Sequence, residues 1–293
     1  MAYSEITNTT KRLSPLIEAA ELSELYKNDA VVLVDVSNGK DAKANYNAKH
    51  LDQALFVDLN TDLADIKVDL ANGGRHPLPQ IEKFAKTLTK FGITNSSHVV
   101  IYDDKNGANA AARFWWMLRA IGHEKVQVLN GGLQQAENMG FPTNDKTETP
   151  KLIPNYTFDN WKLPTATITE VENNSQNENY LVIDVRENSR YLGEYEPIDL
   201  VAGHIPGAFN IPFTTNLNQN GRFLSAAELR QQYQKVFGAI KQENIIIHCG
   251  SGVTACHTLL AIDYAGLAMP KLFVGSWSEW SRNDKAIIAV FNS

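Results

Sequence analysis

Apolar residues along this chain come in short blocks, and each block closes on a polar or glycine-rich position. Val31-Val-Leu-Val ends on Asp35, and Leu181-Val-Ile ends on Asp184. Runs of this length, bounded by turn formers, predict buried parallel strands with a polar residue at the carboxyl end. The same pairing recurs further on. His98-Val-Val-Ile-Tyr102 runs into Asp103 as Asn244-Ile-Ile-Ile-His248 runs into Cys249. Lys49-His50-Leu-Asp-Gln-Ala54 parallels Gly203-His204-Ile-Pro-Gly-Ala208, and Val128-Leu-Asn-Gly131-Gly parallels Leu272-Phe-Val-Gly275-Ser. Four landmarks in one order, about 144 to 154 residues apart, predict two homologous domains.

Helical periodicity fills the spaces between these blocks, over 108–121, 225–237 and 253–264. Ser225-Ala-Ala-Glu228 has the spacing of a capping box. Strands alternating with helices predict an α/β fold, with a mainly parallel sheet in each domain and helices on both faces. The expected division is 1–143, a polar and proline-punctuated linker over 144–164 lying on the surface, and 165–293.

At 293 residues, 43% hydrophobic and 20% charged, the chain can build two cores. A net charge of −6 excludes a global basic field, so no nucleic-acid partner is expected and any anion site must be local. No stretch approaches the roughly 20 apolar residues of a membrane span, and the first residues lack a signal-peptide layout. The two cysteines, Cys249 and Cys256, are too few for a disulfide framework. These features predict a cytoplasmic protein without a membrane partner.

The chemistry points to His248-Cys249-Gly250-Ser251-Gly252-Val253-Thr254, where a strand ends and a helix begins. Gly250 and Gly252 let the backbone curl so that successive N–H groups point inward as an anion nest. The following helix adds its positive end. Such a field favours a thiolate at its centre, and Ser251 and Thr254 add hydroxyl donors. Ligands in open α/β sheets bind at this edge. A cysteine phosphatase would need an arginine at position 255, where Ala255 stands, which argues strongly against phosphoryl transfer. Cys256, inside the apolar helix that follows, reads as a packed core thiol. Neither cysteine forms a metal-ligand motif with a histidine, and Gly73-Gly74 and Gly131-Gly132 read as turns rather than a dinucleotide fingerprint. No metal and no organic cofactor are expected.

Asp184-Val-Arg186, Arg190-Tyr-Leu-Gly, Gly203-His-Ile-Pro-Gly-Ala208, the cysteine loop and Gly275-Ser-Trp-Ser-Glu-Trp280 together resemble the rhodanese superfamily. The likeness is to its tandem-domain form, the thiosulfate and 3-mercaptopyruvate sulfurtransferases. It implies that Cys249 takes a sulfane sulfur from a small donor and passes the persulfide sulfur to a thiol, thioredoxin included, or to cyanide. Asp103 then stands where the N-terminal domain has lost its cysteine. Thiosulfate-preferring members carry Cys-Arg-Lys-Gly-Val-Thr; Cys249-Gly-Ser-Gly-Val-Thr254 is similar to the mercaptopyruvate type.

The resemblance further implies that Arg190 and Arg113 bind the donor between the domains, with Gly250, Gly252, Val253 and Thr254 forming the loop around it. It also implies a relay of Ser251 and His76. Three positions depart from the pattern: Ile198 replaces a second donor arginine, Asn60 the relay aspartate and Val274 an aspartate before Gly275. The competing readings are a thiosulfate:cyanide sulfurtransferase and a protein-loaded persulfide carrier or sulfur sensor. Arg186 is expected in structural ion pairs, for instance with a carboxylate of the neighbouring domain. His204 is expected to be structural, His248 to face away from the loop, and Phe114-Trp115-Trp116 to serve as helix core and domain interface.

Overall fold

A computed structural model describes residues 12–28, 31–108, 110–151 and 155–289. The strands, in chain order, are β1 (Leu16–Ile17), β2 (Val32–Asp35), β3 (His50–Leu51), β4 (Leu55–Phe56), β5 (Val99–Tyr102) and β6 (Val126–Leu129). They continue as β7 (Thr143–Asn144), β8 (Thr165–Ala166), β9 (Leu181–Asp184), β10 (Phe209–Asn210), β11 (Ile245–His248) and β12 (Lys271–Phe273). Two five-stranded sheets result, ordered β1-β6-β5-β2-β4 and β8-β12-β11-β9-β10. Every pairing within them is parallel. The strand order is the same in both, which is the two-domain α/β architecture that the repeated blocks predict.

Strands β2, β5, β9 and β11 lie inside their sheets, and β5, β9 and β11 are buried throughout. Burial on both faces explains why these runs read as continuous apolar blocks rather than alternating ones. The predicted helices appear as Ala110–Ala120, Ala226–Phe237 and Ala255–Tyr264. The capping box forms: Ser225 accepts from the Glu228 amide while the Glu228 carboxylate accepts from that of Ser225. Among the described residues no helix is long and apolar enough to cross a membrane.

The helices Ala110–Ala120 and Ala255–Tyr264, one from each domain, pack against each other, and a single apolar cluster runs across the junction. Phe114, Trp115 and Trp116 are fully buried within it. The segment expected to be a surface linker is more firmly held than its composition suggests. Its start, β7, pairs antiparallel with β3. Further on, Tyr156 is buried, and Phe158 and Trp161 pack edge-on and tilted against Phe84. Aromatic residues spaced through a polar stretch anchor it to the N-terminal domain.

Candidate active site

Cys249 follows β11 directly, at the carboxyl edge of its sheet, and is buried. The segment 275–280 holds its backbone. Ser276 Oγ accepts from the Cys249 amide at 3.1 Å, and the Trp277 and Ser278 amides donate to the carbonyls of Cys249 and Gly250. Ser276 adopts φ +52° to do so, a conformation that a side chain rarely takes. Gly252, at φ +72°, lies against the Val274 carbonyl, and a Cβ there would come within 2.3 Å of that oxygen. The loop is thereby fixed in a tight curl. Among the described residues, the amides of Gly250, Ser251, Gly252, Val253 and Thr254 find no acceptor. Five consecutive free donors beside a thiol form a seat for negative charge.

Ser251 is buried at the same loop, and its Oγ lies 2.8 Å from His76 Nδ1. The other ring nitrogen, Nε2, lies 3.1 Å from Asn60 Oδ1. With the carboxamide oxygen as acceptor, Nε2 carries the proton and Nδ1 accepts from the Ser251 hydroxyl. Burial, reinforced by Arg75 and Arg113, pushes the His76 pKa down to about 3. The imidazole is therefore neutral and held in one tautomer.

Arg190 extends from the helix Asn188–Leu192 toward Gly250. Its Nη2 is 2.7 Å from Glu196 Oε1 and 3.5 Å from Asp199 Oδ2. Burial opposes ionisation of Glu196, but its hydrogen bonds from Arg190 keep the pKa below the ordinary value. Position 198 supplies no cation, since the apolar Ile198 stands there, exposed. The loop nevertheless meets a second arginine, from the other domain. A Cβ on Gly250 would lie 3.0 Å from Arg75 Nη2 and 3.4 Å from Arg190 Nη2. Asp199, fully shielded, orients Arg75 through bonds of 3.0 and 3.3 Å and takes a further bond from Arg282. Sequence reasoning missed Arg75. Its signal was adjacency to His76, but its approach to Gly250 depends on how the domains dock.

Arg113, expected at the donor, points inward. It is fully buried, and its guanidinium donates to the carbonyls of Gly252 at 3.2 Å and His76 at 3.1 Å. The cation braces the cysteine loop and the segment that carries His76, and it has no exposed surface. Cys256 lies beside it, its thiol 3.4 Å from the Gly252 carbonyl and its pKa pushed up to about 12 by burial.

Arg186 makes the structural pairs expected of it, though within its own domain. It binds Asp184 at 2.6 Å, Glu196 at 3.3 Å and the Gly203 carbonyl, and lies over Trp277. His248 is buried near Asp184 and Phe273. His204 binds the Tyr191 carbonyl and stacks on its ring. Val253 is buried, whereas Thr254 is partly exposed. Among the described residues no group of three or more His, Cys, Asp or Glu side chains could hold a metal ion.

A thiol in a nest of free amides thus stands at the edge of one of two sheets that share a strand order. The Rhodanese-like domain model matches twice, at residues 18–138 and 167–283. The chain belongs to the rhodanese family. It is 34% identical to the human 3-mercaptopyruvate sulfurtransferase, over 83% of this chain and 80% of that one. It is 35% identical to a thiosulfate sulfurtransferase of Cricetulus griseus, over 82% and 80% respectively. Among solved rhodanese structures, the 3-mercaptopyruvate sulfurtransferase of Leishmania major superposes with a TM-score of 0.76 at 29% identity, covering 88% of this chain and 72% of that one.

Proposed function

We propose that the protein is a sulfurtransferase that moves sulfur from 3-mercaptopyruvate to a thiophilic acceptor through a Cys249 persulfide. The observation that carries this reading is the set of unpartnered amides from Gly250 to Thr254 around the thiol, with Arg190 and Arg75 beside Gly250. Similarity to relatives bearing the 3-mercaptopyruvate name supports it. The donor's carboxylate pairs with the arginines, for which a guanidinium's forked donors are suited. The Cys249 thiolate attacks the donor sulfur. An S–S bond forms, the C–S bond breaks, and the electron pair leaves on the three-carbon fragment. The donor's thiol proton passes by way of the Ser251 hydroxyl, which the neutral His76 ring holds in place, to that carbon, giving pyruvate, while the outer persulfide sulfur keeps the negative charge in the nest. Thr254 and Val253 complete the wall of the loop.

In the second half-reaction a thiol, such as that of thioredoxin, or cyanide attacks the outer sulfur. The S–S bond breaks and Cys249 returns as thiolate. No cofactor takes part, since the sulfur rides on the cysteine. Arg113 holds the loop and the His76 backbone in register. With two free cysteines among the described residues and no basic field, a cytoplasmic setting without nucleic-acid or membrane partners is the consistent one.

One observation favours a second donor. Paired cations at Gly250 suit doubly charged thiosulfate, even though the loop itself lacks its usual basic residues. Intact-mass measurement after brief exposure to each donor separates the readings. Gain of one sulfur from mercaptopyruvate, absent in Cys249→Ser, is the expected result. Gain from thiosulfate alone moves the assignment to a thiosulfate:cyanide enzyme, and gain from neither leaves a carrier loaded by another protein.

A further inference from the structure

The repeat that sets two loops at one edge of the sheets also sets two grooves at the opposite edge, where the strands begin. In the N-terminal domain the segment Glu148-Thr-Pro150-Lys151 lies across the groove. Glu148 Oε1 accepts from the Gln53 amide at 3.1 Å and stands 3.7 Å from His50 Nε2. The Lys151 backbone covers Gly92 so closely that a Cβ there would lie 2.8 Å from its carbonyl oxygen. Leu55 is left 8% exposed, and about 200 Å³ stays empty.

The C-terminal domain repeats this groove, with Ile288 paired to His204 as Asn144 is to His50, and among the described residues no segment lies across it. Phe209 pairs with Ile183 as Leu55 pairs with Val34, yet it is 62% exposed. Gly238 repeats the positive-φ turn of Gly92, and its Cβ position meets nothing within 4 Å. Gly207 stands where Gln53 does, and its amide donates to no described residue. His204 stacks on Tyr191 at 3.8 Å as His50 stacks on Tyr46 at 4.0 Å. Its Nδ1 is bound to the Tyr191 carbonyl, as that of His50 is to Tyr46, and its Nε2 has no described partner. The open groove measures about 610 Å³ between Tyr180, Phe209 and Ile240.

We propose that this groove docks an extended segment of a partner protein, with a carboxylate two residues before a proline. The carboxylate takes the places that Glu148 occupies in the other copy, at the Gly207 amide and His204 Nε2. The proline keeps the peptide extended at little entropic cost, and an apolar flank covers Phe209. The contact is small, so binding is weak and transient.

The probe is a labelled synthetic peptide of residues 145–152, Asp-Lys-Thr-Glu-Thr-Pro-Lys-Leu, titrated into the full chain. Saturable binding is expected, with amide NMR shifts confined to 175–181, 204–209 and 236–240. Phe209→Ala, at an exposed site outside the sulfur chemistry, weakens it about 10-fold, and a Glu148→Gln peptide weakens it as well. Loading of Cys249 with sulfur stays unchanged in Phe209→Ala. No binding at millimolar peptide, or shifts elsewhere that ignore Phe209→Ala, overturns the proposal. Binding that appears only when the chain is shortened to end at Ala289 also overturns it, because the groove then belongs to this chain's own last residues.

Discussion

The loops after β5 and β11 leave their sheets at the same edge, but one begins on Asp103 and the other on Cys249. In the first, the carboxylate turns back into its own loop. Asp103 Oδ1 accepts from the amides of Lys105 and Gly107, and Oδ2 from that of Ala111. In the second, the corresponding run of amides is open. An aspartate thus fills with its own charge the seat that a cysteine keeps for incoming sulfur. Burial of that carboxylate, only partly offset by its backbone donors, raises its pKa to about 6. The same backbone form serves as a strut in one copy and, under the proposed function, as a reaction site in the other.

Removing each loop's key group breaks the comparison most sharply. Cys249→Ser should cut sulfur transfer by at least about 10³-fold with the melting temperature nearly unchanged. Asp103→Ala should do the reverse. It removes the acceptor of the Lys105, Gly107 and Ala111 amides, among others, and should cost about 2–4 kcal/mol in urea denaturation, with transfer per folded molecule retained.

A pH series tests the raised Asp103 pKa. Between the unfolded pKa near 3.8 and the folded value of about 6, the native state holds a proton that the unfolded state releases. Stability from this group is therefore full below the lower value and is lost as pH rises through the upper one. About 3 kcal/mol is at stake from a shift of roughly two units. Asp103→Asn should flatten that part of the stability profile relative to the parent chain.

Smaller effects sharpen the open loop. Arg75→Gln or Arg190→Gln should raise KM for an anionic donor roughly 10-fold with kcat less affected, as loss of a charge-assisted contact predicts. Asn60→Asp should act more gently still. A carboxylate at Nε2 favours imidazolium, so the His76 pKa climbs from about 3 and an acid limb enters the pH–rate profile. The parent chain should show no limb from His76 in the neutral range.

Much of this contrast is legible in the sequence. Repeated apolar blocks give both sheets, and alignment of Asp103 with Cys249 identifies the silent copy. Ser251 and His76 also meet as their motifs imply, with Asn60 as the third member. What escapes is whatever depends on the angle between domains. Arg75 has no local pattern that aims it at Gly250. Arg113 reads as a cation available to ligands because helical spacing says nothing of depth, and the alanine-rich surface around it lets the helices close until it is buried. The linker's polar composition hides the anchoring of Tyr156, Phe158 and Trp161.

The bonds from Arg113 to Gly252 and His76 carry a consequence for any attempt to divide the protein. The half that holds the thiol lacks the brace for its own loop, the histidine for its serine and one of its two cations. All three are lent by the half that has no nucleophile. Expressed alone, the C-terminal half would keep the thiol but leave its loop unbraced and uncover the helix Ala255–Tyr264 that packs against Ala110–Ala120. The silent half is thus a permanent subunit on the same chain, and the two form an obligate heterodimer that a single gene keeps at fixed stoichiometry.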